Sequence, residues 1–272
     1  MTGPLISLLS DFGLRDPSAA IMRGVILGIA PDARVLDISH EVRKFAIRDG
    51  ALLLWCALPY LPVGFHLAVV DPGVGTARLP VAIATARGDV LVGPDNGLLP
   101  AAAAKLGGIR AVHVLENDAY RLPVVSTSFH GRDLFAPVAA HLANGVPIEA
   151  LGRALDPATL VASPIREPEI GAGELHSSVV YVDTFGNLKL AGLRADLETA
   201  IGPVRPGDRL VLTIDRDRAI ETSWQSTFGE VEVGETLLYE DSYRRICLAA
   251  SQADAAAKHG IVEDVTIDIR RA

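Results

Sequence analysis

The sequence predicts an α/β fold: an N-terminal, largely parallel sheet flanked by helices, followed by a smaller C-terminal antiparallel β domain of barrel-like form. Three observations lead there. Up to about Pro157, short β-branched apolar runs alternate with Ala- and Leu-rich helical stretches, the pattern of strands joined by crossover helices. Several of these runs end in an acid followed closely by glycine, as ligand-crevice loops do at the carboxyl ends of parallel strands. Beyond Pro157 the runs are short and separated by turn residues, which suits an antiparallel sheet curling on itself. The divisions expected are an α/β domain over 1–160, a linker over 161–175 and a β domain over 176–272.

In chain order, Leu5 to Leu9 is a strand ending in Ser10-Asp11-Phe12-Gly13. A helix follows from Pro17-Ser18 to about Ile29, with Ser18 its expected cap. Arg34 to Ile38 is a second strand, and Ile47 to Leu58 a helix closed by Pro59 and Pro62. Leu67 to Val70 reads as a buried strand. It leads into Asp71-Pro72-Gly73-Val74-Gly75-Thr76-Ala77-Arg78, where proline stops strand pairing and the glycines allow a tight turn. Leu79 to Thr85 and Val90 to Val92 are strands, the latter running into Gly93-Pro94-Asp95-Asn96-Gly97. Ala101 to Leu106 begins a helix and Ala111 to Leu115 is a strand. The second half of 126–137 opens a helix that Gly145 ends. Residues 158–175 are a loop-rich connector. The β-like runs beyond it are Ser178–Val182, Arg209–Ile214, Glu230–Val233, Leu237–Tyr239, Arg245–Ala249 and Val265–Ile269.

The bulk numbers exclude several classes. The 272 residues are 49% apolar and 21% charged, an ordinary globular composition. Net charge is −8 and no basic tract occurs, which argues against nucleic acid and anionic membrane as partners. No stretch is long and apolar enough to span a bilayer, and no charged n-region precedes a signal-like core. Cys56 and Cys247 lie far apart without metal-ligand spacing and read as buried thiols, so a cytoplasmic location is expected.

The candidate chemistry lies at strand ends. Asp11, Asp71, Asp95-Asn96 and the His130 turn should share one edge of a parallel sheet and converge. Asp71 with Arg78 suits a small polar species better than a cation, because the guanidinium would repel a metal; no metal or cofactor is expected. There is no phosphate loop, no complete G-x-G-x-x-G and no G-x-S-x-G elbow. Ser126 and Ser128 near His130 are weak evidence for a nucleophilic dyad. His40, His66 and His113 read as structural, and Arg132-Asp133 as a helix-start ion pair. Phe12, Phe129 and Phe185 read either as core or as walls for a ligand ring.

Five segments in order, Ser10–Gly13, Asp71–Arg78, Gly93–Gly97, Phe129–Asp133 and Asp183–Asn187, together resemble the S-adenosylmethionine (SAM) hydroxide adenosyltransferases, or SAM hydrolases, relatives of the fluorinase and chlorinase. The resemblance covers nearly the whole chain. It implies an N-terminal α/β domain, a C-terminal β domain and a homotrimer with sites between subunits. It implies attack of water or hydroxide on C5′ of SAM, giving adenosine and L-methionine. It places a catalytic set on Asp71, Arg78 and His130, and a ribose-binding acid on Asp11 beside Phe12. Asp183, Phe185 and Asn187 match residues that hold the adenine and the methionine end, and Ser242 one near the methionine carboxylate. The halogenases lack the acid found here at Asp71, and the fluorinase has serine where this chain has Gly131. Ser18, Lys189-Leu190 and Arg244 depart from the usual family pattern. Two alternatives stand beside a hydrolase: a SAM-dependent halogenase, which the carboxylate of Asp71 would disfavour by repelling halide, and a non-catalytic SAM or adenosine sensor. A metal-dependent hydrolase is the most distant reading.

Overall fold

In the computed structural model, which describes residues 3–272, the chain divides into two compact units, one ending at Pro164 and one spanning Ile165–Ala272. The first contains β1 (Leu5–Ser10), α1 (Ser18–Ile29), β2 (Arg34–Ser39), α2 (Ile47–Ala57), β3 (Phe65–Val69), β4 (Pro80–Thr85), β5 (Val90–Pro94), α3 (Pro100–Lys105), β6 (Ile109–Val114) and α4 (Ala136–Ala143). Its six strands lie in the order β2-β1-β3-β5-β4-β6. The pairs β2–β1, β1–β3 and β3–β5 are parallel, and β4 runs antiparallel to both neighbours. The sheet is therefore largely parallel, with one reversed strand.

Every residue of β1 is buried, as a central strand covered on both faces requires. On one face α1 and α4 pack together over Ile6, Leu8, Leu67 and Val69. On the other, α2 packs against α3. Because the chain leaves β1 for β2 on one side and then returns to β3 on the other, the order reverses between β1 and β3. That is where an open α/β sheet leaves a crevice beyond its strand ends, and it is flanked here by Asp11 and Asp71.

Local details differ from the sequence expectations. Ser18 does not cap α1: the N-cap is Pro17, with no side-chain cap bond. The segment 131–135 forms a π-helical turn before α4 begins. Such turns interrupt helices most often at functional sites.

The second unit contains β7 (Glu169–Ile170), β8 (Glu174–Val182), β9 (Leu188–Leu193), α5 (Arg194–Ile201), β10 (Arg209–Ile214), β11 (Arg218–Trp224), β12 (Thr236–Glu240), β13 (Arg245–Ala250), α6 (Ala255–His259) and β14 (Thr266–Arg271). Seven strands close in the order β14-β10-β11-β12-β13-β9-β8, with β8 pairing back onto β14 and β7 outside β8. All pairs are antiparallel except β11–β12. Closure removes the sheet edges, and alternate residues such as Leu188, Leu190, Leu238, Leu248 and Trp224 fill the interior. The strand expected over Glu230–Val233 is instead a 3₁₀ turn at Phe228–Glu230 running into loop. Among the described residues, no helix is long and apolar enough to cross a membrane.

Candidate active site

The crevice at the ends of β1 and β3 is a cleft of about 290 Å³. Its walls include Asp11, Phe12, Asp71, Phe129 and His130. Asp71 follows β3 directly, and the glycine loop returns Arg78 to it. Arg78 Nε donates to both carboxylate oxygens of Asp71 at 3.0 Å, and Nη2 donates to Oδ2. This fork-to-fork geometry is the strong, directional form of a guanidinium–carboxylate contact. The two side chains are only 9 and 4% exposed, and the guanidinium lies 5.2 Å from the Phe135 ring centroid.

Arg78 Nη2 also lies 3.1 Å from His130 Nδ1. Guanidinium can only donate, so Nδ1 must accept. His130 is thus a neutral imidazole with its proton on Nε2. Burial, and then the adjacent Arg78 charge, hold its pKa below the usual histidine value, against the opposing pull of Asp71 and Asp133. The ring therefore presents an N–H donor at neutral pH.

Backbone packing joins these pieces. Gly75 has φ of +76°, and a Cβ there would come within 2.5 Å of the Thr127 carbonyl oxygen. Glycine is required for the loop from β3 to lie against the segment that carries His130. That segment is clamped by buried Asp133, which accepts from the Ser126 N–H at 2.8 Å and the Ser126 hydroxyl at 2.7 Å. Ser126 is thereby committed to Asp133, which removes it from any dyad with His130. Arg132 pairs with the same carboxylate at 2.5 Å, as expected of a helix-start ion pair.

Asp11 lies across the cleft. One of its oxygens accepts from the Phe45 N–H at 2.9 Å, and Lys44 donates to its backbone carbonyl. Phe12 packs edge-on to Phe129 with centroids 5.6 Å apart. Gly131 is close behind: a Cβ there would stand 3.0 Å from the Met22 sulfur and 3.4 Å from the Phe12 ring. Not every expected strand end converges. Asn96 bridges to the Val70 carbonyl at 2.9 Å, and Asp95 accepts from the Val161 N–H at 2.9 Å, its pKa raised by burial. Both act as ties between loops and lie outside the cleft.

Asp183, Phe185, Asn187 and Ser242 are brought together elsewhere, in a pocket of about 820 Å³ in the second unit. Asp183 accepts from the N–H groups of Phe185 and Asn187 and from the Asn187 side chain, all within 2.9–3.0 Å. Asp183 and Asn187 thus shape the turn that lifts Phe185, which is 78% exposed. Phe228, Tyr239 and Tyr243 add aromatic surface, and Lys189 and Asp241 add a buried ion pair. Arg244 has φ of +72°, a backbone shape that glycine adopts at least cost. That shape accounts for glycine being usual at this position, and the Arg244 side chain reaches out toward Glu240 at 3.4 Å. Sequence reasoning missed Phe45, Phe135 and Asp241, and met Lys189 only as a departure from the usual family pattern. Only Lys189 left a signal, a charge in the middle of an apolar run.

Comparison with known proteins follows the same two units. Residues 6–152 match the SAM hydroxide adenosyltransferase N-terminal domain, and residues 177–267 the C-terminal domain. The chain is 43% identical over 258 residues to an (R)-S-adenosyl-L-methionine hydrolase of Salinispora tropica, covering 95% of this chain and 94% of that one. It is 38% identical to an enzyme of the same name from Thermus thermophilus, covering 96 and 98%. A fluorinase of Actinopolyspora mzabensis is more distant, at 28% identity over 98 and 97%. A crystal structure of an uncharacterized conserved protein from Thermotoga maritima superposes with a TM-score of 0.90 at 33% identity, covering 98% of this chain and all of that one.

Proposed function

The chain belongs to the SAM hydroxide adenosyltransferase family, and on that premise we propose that it hydrolyses S-adenosyl-L-methionine to adenosine and L-methionine. A water oxygen attacks C5′, the C5′–S bond breaks, methionine leaves with the electron pair, and the water gives up a proton. The relatives at 37–43% identity are named for the (R) epimer at sulfur, and we extend that preference to this chain.

The observation that carries the reading is the Asp71–Arg78–His130 cluster. Arg78 supplies fixed positive charge where hydroxide character develops on the attacking water. His130 offers its Nε2 proton as a donor that orients the same oxygen. Asp71 accepts three contacts from Arg78, and a carboxylate has room for about four. The remaining lone pair is the natural acceptor for the water proton. Attack neutralises a cationic sulfonium, so a cleft that replaces bulk water with fixed dipoles favours the step. Holding water and C5′ in line supplies a further large proximity effect. Asp11 can take two hydrogen bonds from the ribose diol. No cofactor is needed, because the sulfonium is already the leaving group. A halide would stand against the Asp71 carboxylate, which disfavours the fluorinase reaction.

The reading includes a homotrimer in which the exposed Phe185 pocket of one copy and the cleft of another complete each site. It also includes a cytoplasmic location, which suits two buried cysteines that form no disulfide. The test is incubation of purified protein with each SAM epimer, with and without saturating chloride, followed by mass spectrometry. Adenosine and methionine from the (R) epimer, at a rate that ignores chloride, is the expected result. A 5′-chloro product would assign a halogenase, and binding without turnover a sensor.

A further inference from the structure

A buried histidine of the first unit has no part in the Asp71–Arg78–His130 cluster. His40 follows β2 directly and is 2% exposed. Its Nδ1 lies 2.7 Å from the hydroxyl of Ser10, the last residue of β1, which is also buried. Ser10 Oγ in turn accepts from the Phe12 N–H at 3.3 Å. A serine oxygen that accepts from the amide two positions on closes a local turn. The residue enclosed by this turn is Asp11.

Burying a ring with two polar nitrogens costs desolvation that an apolar ring would avoid. The other nitrogen, Nε2, lies 3.1 Å from Asp37 Oδ1 without the alignment of a hydrogen bond. The well-formed contact of the ring is therefore the one with Ser10. The backbone repeats this join between the segments after β1 and β2. The Gly13 N–H donates to the His40 carbonyl at 2.7 Å, and the Val42 N–H to the Ser10 carbonyl at 3.4 Å. Lys44 donates to the Asp11 carbonyl, and the Phe45 N–H to Asp11 Oδ2 at 2.9 Å. Asp11 thus lines the cleft with its backbone held on both sides and its carboxylate anchored through one oxygen.

We propose that His40 is a positioning residue: through Ser10 it fixes the turn that presents Asp11 to the ribose of the adenosyl group. A hydroxyl has one proton and two lone pairs, so Ser10 Oγ can accept from Phe12 whether it donates to Nδ1 or accepts from it. The bond to Phe12, at 3.3 Å, is long for an N–H donor and would hold the Ser10 rotamer weakly by itself. The 2.7 Å contact with the imidazole supplies the missing hold. A binding carboxylate is only as well placed as the groups that support it. The inference rests on SAM bound in the cleft with Asp11 on its ribose, and adds the residues that keep Asp11 in place.

The test uses adenosine and 2′,3′-dideoxyadenosine, which differ only in the ribose diol. Neither has a sulfonium leaving group, so dissociation constants are read by calorimetry without turnover. Wild type should prefer adenosine by about 10-fold, in the range of a hydrogen bond to a charged group. His40→Ala and Ser10→Ala should each bring the preference within about 3-fold and leave the affinity for the dideoxy compound unchanged. His40→Asn, whose amide sets a polar atom where Nδ1 stands, should restore about 5-fold or more. Added to Asp11→Ala, His40→Ala should have no further effect, because residues that act through one another are not additive. Circular dichroism confirms that each variant is folded. Ser10→Ala removes a single oxygen, and it decides the matter if His40→Ala does not fold. A preference that stays above about 3-fold in the alanine variants, no recovery in His40→Asn, or a further loss in the double variant overturns the proposal and leaves the ribose contact standing. A wild type that does not distinguish the two nucleosides overturns both. SAM turnover by the wild type, assayed in parallel, reports separately on the hydrolase reading: diol selectivity without turnover would sustain the role of His40 and defeat the activity.

Discussion

The cleft of the first unit and the pocket of the second are built on opposite plans. The cleft is small, about 290 Å³ against about 820 Å³, and its functional side chains hold one another. Asp71, Arg78 and His130 form a connected set, and Asp11 accepts from backbone. The pocket is wide and aromatic, and Phe185 stands 78% exposed on a turn that Asp183 and Asn187 stabilise beneath it. A site that stabilises developing charge must be organised before the substrate arrives. A site that recognises a ring and an amino-acid tail gains from surface that binding then covers. The first plan suits chemistry and the second recognition, a division that substitutions can break or sharpen.

The largest effects should fall in the cleft and on the rate. Arg78→Met should lower kcat by about 10³-fold with the SAM dissociation constant nearly unchanged, measured by single turnover and equilibrium binding. Asp71→Asn should act in the same direction, by about 10²- to 10³-fold. Loss of binding with an intact rate in either variant would break the division. Phe185→Ala should do the reverse: KM rises by about 10-fold, as for loss of a stacked ring, while kcat holds. Asp11→Ala sharpens the comparison, because Asp11 lies in the cleft yet its proposed role is binding. Its effect should be an increase of about 10-fold in the dissociation constant, again by calorimetry.

A smaller effect concerns pH. The proposed role of His130 needs the neutral ring, and burial, then the Arg78 charge, lowers its pKa. The rate should be level above about 6.5 and fall as pH drops through the lowered value, since protonated Nδ1 can no longer accept from Arg78. Stability declines in the same direction, because the unfolded chain takes the proton first. A pH–rate profile that falls on the alkaline side near neutrality would contradict this. The smallest effect is Gly131→Ala. The new methyl group must displace the flexible Met22 side chain or tilt Phe12, which should change KM by about 3-fold.

Much of this arrangement is legible in the chain itself, unevenly. The strands around Asp11 and Asp71 are continuous apolar runs closed by Gly and Pro, so both their limits and their shared edge can be read directly. The barrel is harder. β9 carries a lysine at its centre and a glycine at Gly192 with φ of +104°, and β11 is polar on its outer face. Leu188 and Leu190 alternate around Lys189, but the lysine and Gly192 interrupt the apolar pattern, and each strand is held both by its hairpin neighbour and by a strand farther along the chain. Asp95 illustrates the limit for site residues. Its motif looks like those of Asp11 and Asp71, yet its carboxylate turns to the Val161 N–H, a contact 66 positions away. Ser126 is similar: proximity to His130 in sequence is overridden by Asp133. Lys189 is the converse case, a residue whose oddity is visible in sequence but whose partner, Asp241, becomes apparent only when β13 lies beside β9.

The most direct test of water delivery to C5′ by the Asp71–Arg78–His130 cluster is a single turnover of SAM in ¹⁸O-water, read by mass spectrometry of both products. One ¹⁸O atom on the 5′ oxygen of adenosine, with none in methionine, is the expected outcome. Adenosine without the label, or label in methionine, would contradict attack at C5′ and the roles assigned to the three residues.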